Sequence, residues 1–240
     1  MGLNFQRRSY EEEIMDDFQL QGDLLRETLD QLGTINRMLG GNKTTLKGLQ
    51  KLIKDKPRDM PLHVTDLGCG HGDVIRRAAR MARKEGRKMS FTGIDANPDT
   101  LDYARSLSKD FPEINYRQAL LPSDFLAGTS SDIILCTLFL HHFNEKDILQ
   151  ILNYSMKNAP VGVVINDLHR HSTAYRLFDL LTRFFFNNMV REDGLTSIQR
   201  GFSRKELDEL SGRLENTQSA IQWKWAFRYQ WILQPKSSRI

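Results

Sequence analysis

Val64-Thr-Asp-Leu-Gly68-Cys-Gly70-His-Gly72-Asp73 is the stretch that decides the fold of this 240-residue chain. An apolar run leads into three closely spaced glycines, and an amphipathic segment follows. This pattern predicts a buried strand, a tight turn and a helix, because glycine lets the backbone turn sharply and approach a ligand closely. Open α/β folds bind ligands at this edge of the sheet, so we expect a binding site beside the glycines.

Short apolar runs alternate with helical stretches from Pro61 onward, which is typical of a parallel sheet with crossover helices. Two alternating runs at the end, Thr217–Trp225 and Arg228–Leu233, predict a hairpin that ends the sheet with an antiparallel strand. The sequence therefore predicts an α/β fold with a Rossmann-like, mostly parallel seven-stranded sheet. The other predicted strands are Leu62–Leu67, Ser90–Ile94, Ile114–Gln118, Asp132–Thr137 and Val161–Asp167, with helices near Asp73–Glu85, Pro98–Lys109 and Glu145–Met156.

The residues before this sheet are predicted to form an N-terminal helical cap. Apolar residues three and four apart predict helix over Tyr10–Leu39, segmented at Gly22 and Gly33, and a shorter helix over Thr44–Ile53. A polar linker with two prolines follows. We therefore divide the chain into a cap over residues 1–57 and a Rossmann-like domain over residues 58–240.

Composition limits the location and the partners of the protein. No apolar run approaches the roughly 20 residues of a membrane span, and Met1 to Arg8 do not lead into a signal peptide, so we expect a cytoplasmic protein. Two cysteines, Cys69 and Cys136, in apolar contexts exclude a disulfide framework. The net charge is +4, but the basic cluster at residues 76–88 has the spacing of one solvated helix face. Nucleic acid is therefore an unlikely partner by this reasoning.

A carboxylate follows the second predicted strand, in Gly93-Ile-Asp95. Asp95 lies 23 residues beyond Gly72, near the spacing of about 20 at which an acid meets the ribose hydroxyls of a cofactor. Where a dinucleotide fingerprint has its third glycine, this chain has Asp73, whose charge would repel a diphosphate. The loop therefore favours a cationic nucleoside cofactor without phosphate groups.

Three motifs resemble the first, second and fourth motifs of class I S-adenosylmethionine-dependent methyltransferases. They are Asp66-Leu-Gly-Cys-Gly-His-Gly72, Gly93-Ile-Asp95-Ala-Asn-Pro98 and Asp132-Ile-Ile-Leu-Cys-Thr-Leu-Phe-Leu-His-His142, in family order. The resemblance implies S-adenosylmethionine as cofactor, with Asp66 supporting the loop and Asp95 holding the ribose. It places the following residues against the cofactor: Gly68, Cys69, Gly70, Gly72, Ala96, Asn97, Ala119, Leu120 and Thr137. The sequence departs from the family at Arg117-Gln118, where an acidic residue is frequent.

Methylation of a hydroxyl requires a base with a pKa near neutrality, and histidine suits this role. Four histidines follow the fourth and fifth predicted strands, where the topology places the acceptor. We favour His169 and His171, because Asp167 is available to orient a ring, and keep His142 and His141 as the alternative. We expect no metal, because magnesium prefers more carboxylate ligands than this group offers.

The aromatic-rich segment Tyr175–Met189 has more large apolar side chains than one core stripe needs. It predicts a lid helix at about residues 171–190 over an aromatic or lipophilic acceptor, or else a homodimer interface or a membrane-surface contact. Arg191 and Arg200, in predicted polar loops, are candidate contacts for an anionic acceptor. The leading hypothesis is methyl transfer to a hydroxyl, or an activated carbon, of a small aromatic, quinone-like or polyketide-like molecule. RNA methylation and a non-catalytic cofactor-binding scaffold are the alternatives.

Overall fold

A seven-stranded sheet organises the computed structural model, which describes residues 4–126, 131–183 and 186–236. Its strands are β1 (Leu62–Leu67), β2 (Met89–Asp95), β3 (Ile114–Gln118), β4 (Ile133–Thr137), β5 (Gly162–Leu168), β6 (Thr217–Lys224) and β7 (Arg228–Pro235). They lie in the order β3-β2-β1-β4-β5-β7-β6, and β7 is antiparallel to both of its neighbours, whereas the other paired strands are parallel. The predicted fold class is confirmed.

Helices cover both faces of the sheet. They are α1 (Gly22–Met38), α2 (Gly41–Ile53), α3 (Asp73–Glu85), α4 (Pro98–Leu107), α5 (Glu145–Asn158), α6 (Ser172–Thr182), α7 (Asn188–Arg200) and α8 (Arg204–Gly212). Short 3-10 turns lie at Ile14–Asp16, Ser123–Leu126 and Leu140–His142. None of the helices in the described ranges is long and apolar enough to cross a membrane.

The central strand β4 shows how the core forms. All five of its residues are buried, as expected of a parallel strand covered on both faces. Ile133 and Leu135 pack in a cluster with α2 and α3, whereas Ile134 and Cys136 pack in a second cluster with α5 and α8. Cys136 is thus a core residue, as predicted.

The order of the strands gathers several loops at one edge. β1 pairs with β2 and β4, and β4 pairs with β5 so that Thr137 lies opposite Asn166. The segments that follow β1, β2, β4 and β5 therefore meet at the carboxyl edge of the sheet. This edge is where the glycine loop was predicted to bind a ligand.

The predicted helix over Tyr10–Leu39 is wrong in its first part. Helix α1 begins only at Gly22, whose φ of 82° breaks the helical path. The preceding residues 4–20, which we call the N-terminal segment, contain only the short turn at Ile14–Asp16. Asp193 of α7 accepts hydrogen bonds from the backbone amides of Ile14 (2.7 Å) and Met15 (3.0 Å), which fixes this turn by a tertiary contact.

The predicted continuous helix over Tyr175–Met189 is also wrong. Helix α6 ends at Thr182, and α7 begins at Asn188 after Asn187, whose side chain caps it by accepting from the amide of Val190. Phe184 and Phe185, two of the aromatic residues behind the prediction, lie outside the described residues. The predicted loop around Arg191 belongs to α7 instead.

The cap boundary at residue 57 stays a prediction. Leu49, Leu52 and Ile53 of α2 lie in the same hydrophobic cluster as Val64 of β1. Helix α2 therefore packs directly on the sheet and contributes to its core.

Candidate active site

The glycine loop after β1 lies against the end of β2. Gly68 has a φ of 65°, and a β-carbon there would overlap the ring of Phe139, so both the turn and the packing favour glycine. Gly70 donates its amide to Asp95 Oδ2 at 2.9 Å, and Asn97 donates its amide to Asp95 Oδ1 at 3.1 Å. These bonds hold the carboxylate of Asp95 beside the loop.

One cavity of about 1030 Å³ begins at this loop. Among the described residues that line it are seven of the predicted cofactor-binding residues: Gly68, Gly70, Asp95, Ala96, Asn97, Ala119 and Leu120. None of these seven side chains is basic. Burial raises the pKa of Asp95, the acid at this end of the cavity.

Four other predicted cofactor residues do not line the cavity. Asp66, near the end of β1, and Cys69, within the loop itself, are buried, and a β-carbon on Gly72 would overlap Tyr116. Thr137 is buried too and makes a 2.9 Å hydrogen bond with the hydroxyl of Thr45. Their burial and packing suit a structural role for these four residues.

Asp73 argues against a diphosphate cofactor less strongly than the sequence suggested. Its carboxylate accepts from Asn42 Nδ2 at 2.6 Å and from Arg77 Nε at 3.2 Å. Because Arg77 compensates its charge, Asp73 would repel a diphosphate less than a free carboxylate would.

Asp66 gives a prediction for stability. Its Oδ1 is buried without a hydrogen-bond partner, and burial, together with the charge of Asp95, raises the pKa of Asp66 to about 8. The folded protein therefore keeps a proton that the unfolded chain releases near pH 4, so stability falls as the pH rises between these values. The slope is at most about 1.4 kcal/mol per pH unit.

We expect Asp66→Asn to remove this contribution and to stabilise the protein at pH 8 relative to the wild type. Urea unfolding at several pH values measures the slope. Asp59→Asn, at an exposed acid before β1, is the matched control. If the unfolding free energy of Asp66→Asn depends on pH as steeply as that of the wild type, Asp66 is already ionised in the folded protein.

The cavity is also lined by a group of ionisable side chains that we call the polar corner: Glu13, Asp16, His141, His142 and Arg200. His142 Nδ1 lies 2.8 Å from Asp16 Oδ1, and 26% of the His142 side chain is exposed. Burial would raise the pKa of Asp16, but its bonds with His142 and Arg200 lower it well below the usual range. Asp16 is thus a carboxylate that orients the ring of His142.

His141 is held in the same way by a different acid. Its Nδ1 lies 2.7 Å from Asp167 Oδ1, and only 2% of its side chain is exposed. Burial opposes ionisation of Asp167, yet the charge and hydrogen bond of His141 lower its pKa overall. Asp167 therefore orients His141, and not His169 or His171 as the sequence suggested, because β5 lies beside β4 in the sheet.

Glu13 comes from the N-terminal segment and is buried. Ser197 donates its hydroxyl to Glu13 Oε2 at 2.7 Å, and Arg200 Nη1 lies 3.4 Å from Oε1. Burial raises the pKa of Glu13 to about 7, although His142, Ser197 and Arg200 each favour the ionised form. A carboxyl group with this pKa exchanges its proton near neutrality.

The N-terminal segment is anchored on α7 and on the turn after β4. Arg8 donates to the carbonyls of Arg200 (2.9 Å), His141 (2.9 Å) and Phe143 (3.1 Å). Near its other end, the carbonyl of Leu20 accepts from Asn97 Nδ2 at 2.9 Å. The segment thus runs from Asn97, after β2, to the polar corner, and its role was missed because the apolar spacing of Ile14 and Phe18 was read as helical.

His169 and His171 are not among the described residues that line the cavity. His169 accepts from Trp223 Nε1 at 3.2 Å, and burial and the charges of His171 and Arg170 lower its pKa to about 4. His171 caps α6 by accepting from the amide of Thr173. Their catalytic role stays a prediction, without support from their position.

The polar corner has some features of a metal site. Glu13, His141 and His142 offer potential ligand atoms within 4.8 Å of one another. However, the His142 atom nearest Glu13, at 3.8 Å, is Nδ1, which Asp16 already occupies. Arg200 supplies positive charge beside Glu13, so these contacts favour an acid-base group over a metal site.

The other arginines singled out in the sequence have local partners. Arg191 pairs with Asp179, and Arg200 pairs with Asp16 at 2.6 Å while lining the cavity. In the basic helix α3, Arg76 is buried and donates to the carbonyl of His71, contrary to the predicted solvated face. Arg83 pairs with Glu113.

Residues 64–158 match a family model described as a methyltransferase domain. The chain therefore carries a methyltransferase domain, as predicted, within the class I Rossmann-like fold. No curated protein matches the chain.

Solved methyltransferase structures share the fold at low identity. The plantazolicin methyltransferase BpumL in complex with SAH aligns with a TM-score of 0.64 and 12% identity over 89% of this chain and 100% of its own. An O-methyltransferase family protein from Burkholderia thailandensis aligns with a TM-score of 0.62 and 14% identity over 88% of this chain and 60% of its own. The CurJ carbon methyltransferase aligns with a TM-score of 0.61 and 14% identity over 82% of this chain and 54% of its own.

Proposed function

We propose that the protein transfers the methyl group of S-adenosylmethionine to a hydroxyl, or an activated carbon, of a small aromatic, quinone-like or polyketide-like molecule. The observation that carries the proposal is the single cavity that joins the glycine loop and Asp95 to the polar corner. A methyl donor and an acceptor would then share one cavity, as direct displacement requires.

The cofactor end fits a cationic nucleoside. Asp95 presents a carboxylate to hydroxyl groups, and Ala96, Ala119 and Leu120 give an apolar surface for a base. The absence of basic side chains among the seven predicted residues that line this end suits a sulfonium better than a diphosphate. The bound S-adenosylhomocysteine of the BpumL complex supports the same choice.

The walls between the two ends suit an aromatic acceptor. Large apolar side chains from α1, α6 and the turn after β4 line the cavity, including Leu29, Phe139, Phe143, Phe178 and Leu181. Helix α6 contributes to this wall, in keeping with the lid proposed from the sequence. Such a surface binds flat apolar molecules by burying their apolar area, and a few polar groups fix the orientation of the bound molecule.

His142 is the base that this geometry favours. When bound, the cofactor would supply an electrophilic methyl group, and the electron pair of the broken carbon–sulfur bond would stay on sulfur. His142 Nε2 would accept the proton of the acceptor hydroxyl as its oxygen bonds to the methyl carbon. Asp16 holds the ring at Nδ1 and stabilises the resulting imidazolium.

Methyl transfer from labelled S-adenosylmethionine to a panel of phenols and hydroxyquinones tests the proposal. We expect labelled product from members of this panel and none from folded RNA. Labelling of RNA alone would contradict the proposed acceptor class. Cofactor binding without transfer to any acceptor would favour the non-catalytic scaffold.

A further inference from the structure

Two buried polar atoms of the polar corner have no hydrogen-bond partner. They are Glu13 Oε1 and His141 Nε2, which lie 3.6 Å apart, and both residues line the cavity. A buried polar group without a partner is costly, so two of them facing each other require an explanation.

The rest of each side chain is fixed. Glu13 Oε2 accepts from Ser197, and His141 Nδ1 is held by Asp167, so neither group is free to turn toward another partner. Arg200 Nη1, at 3.4 Å from Glu13 Oε1, is too distant for a good hydrogen bond. The two atoms therefore have fixed orientations and no hydrogen-bond partner.

We propose that Glu13 and His141 bind a second oxygen of the acceptor, adjacent to the oxygen that is methylated. This inference rests on the proposed function and narrows the acceptor to molecules with neighbouring hydroxyls, such as a catechol. A hydroxyl oxygen about 2.8 Å from each atom, to one side of the line that joins them, would satisfy both: it accepts from the neutral Glu13 carboxyl and donates its own hydrogen to His141 Nε2.

The positions of the two histidines fit this arrangement. The ring centroids of His141 and His142 lie 4.2 Å apart. Oxygens on neighbouring ring carbons are separated by about the length of a hydrogen bond. Each imidazole can therefore meet one of the two oxygens, with His142 at the methylated one.

The chemistry of Glu13 suits a second hydroxyl. Because its pKa is about 7, the neutral carboxyl group is available near neutrality. It donates to the hydroxyl oxygen, whose own hydrogen goes to His141 Nε2, because Asp167 holds the other ring nitrogen. A carbonyl oxygen has no hydrogen for His141 Nε2, so a catechol fits better than a hydroxyquinone.

Catechol and resorcinol are matched probes, because they are isomers that differ only in whether the two oxygens are adjacent. Calorimetry on the protein loaded with S-adenosylhomocysteine measures binding without turnover, and labelled methyl transfer measures kcat/KM. We expect catechol to be favoured by roughly tenfold or more in both measurements.

Glu13→Gln should lower this preference by weakening catechol more than resorcinol, because the amide is a weaker hydrogen-bonding group than the carboxyl. Glu11→Gln, at an exposed glutamate two residues away, should keep it. Should Glu13→Gln fail to fold, Glu13→Asp retains the charge but withdraws it from the second oxygen, and we expect the same loss of preference.

Three results would overturn the subsite. The first is equal affinity and equal kcat/KM of the wild type for catechol and resorcinol. This result would leave the proposed function intact if other phenols are methylated. The second is an equal fall in kcat on both isomers in Glu13→Gln, which would assign Glu13 to proton transfer. The third is no binding or turnover of any phenol, which would overturn the proposed function as well.

Discussion

Replacing His142 by asparagine is expected to lower kcat for a hydroxyl acceptor by about 100- to 10,000-fold, the usual contribution of a general base. Asparagine keeps a polar group near Asp16 but has no site that takes up a proton at neutral pH. We expect the affinity for S-adenosylmethionine to change little, because His142 is not among the proposed cofactor contacts. Initial rates with labelled cofactor, together with calorimetry, measure the two effects separately.

His171→Asn is the matched control for this change, since His171 caps α6 outside the cavity. We expect it to retain nearly all activity, and the same holds for His169→Asn. The reverse outcome, with activity lost in His169→Asn or His171→Asn and kept in His142→Asn, would restore the base that the sequence favoured.

Asp95→Ala is expected to weaken S-adenosylmethionine binding by about 100-fold or more. The change removes a carboxylate proposed to accept from the ribose hydroxyls, and hydrogen bonds to a charged group are among the stronger ones. It also releases the amide of Gly70, which Asp95 holds in the loop. Titration of the cofactor by calorimetry measures the loss.

Asp102→Ala provides the comparison for Asp95→Ala. Asp102 is an exposed acid on α4 that pairs with Arg105 and does not line the cavity. Its replacement should leave cofactor affinity within about twofold, in line with the small contribution of surface ion pairs. Equal affinity of Asp95→Ala and the wild type would exclude Asp95 from the cofactor site.

The sheet and the glycine loop could be predicted because their signals are local. The apolar run Ile133–Cys136 predicts a buried strand, and the glycines after Leu67 predict a tight turn, without reference to the rest of the chain. The pairing of parallel strands then follows from a few topological rules. The cofactor end of the site is built from these same loops. Seven of the predicted cofactor residues line the cavity for this reason.

The polar corner could not be predicted in the same way, because its contacts join distant parts of the chain. Glu13 and Asp16 meet Ser197 and Arg200 across more than 180 residues of sequence. The apolar spacing of Ile14 and Phe18 imitated a helix, whereas Asp193 holds the Ile14 turn through a tertiary contact. Only the break at Gly22 hinted at a separate segment.

The histidines show the same limit. His169 and His171 lie closest to Asp167 along the chain, and this proximity suggested that Asp167 orients one of them. In the sheet, the end of β5 lies beside the end of β4, so Asp167 meets His141 instead. Neighbours in a parallel sheet are set by strand order, which separation along the chain does not reveal.

The N-terminal segment has a consequence for how such a protein diverges during evolution. It contributes Glu13 and Asp16 to the cavity but no strand to the sheet, and it precedes the region of residues 64–158 that matches the methyltransferase domain. Under the proposed function, mutations in it would change the acceptor while the glycine loop and the core remain intact. Descendants of one ancestor would then acquire new acceptors through a short stretch of sequence and inherit the methyl donor unchanged.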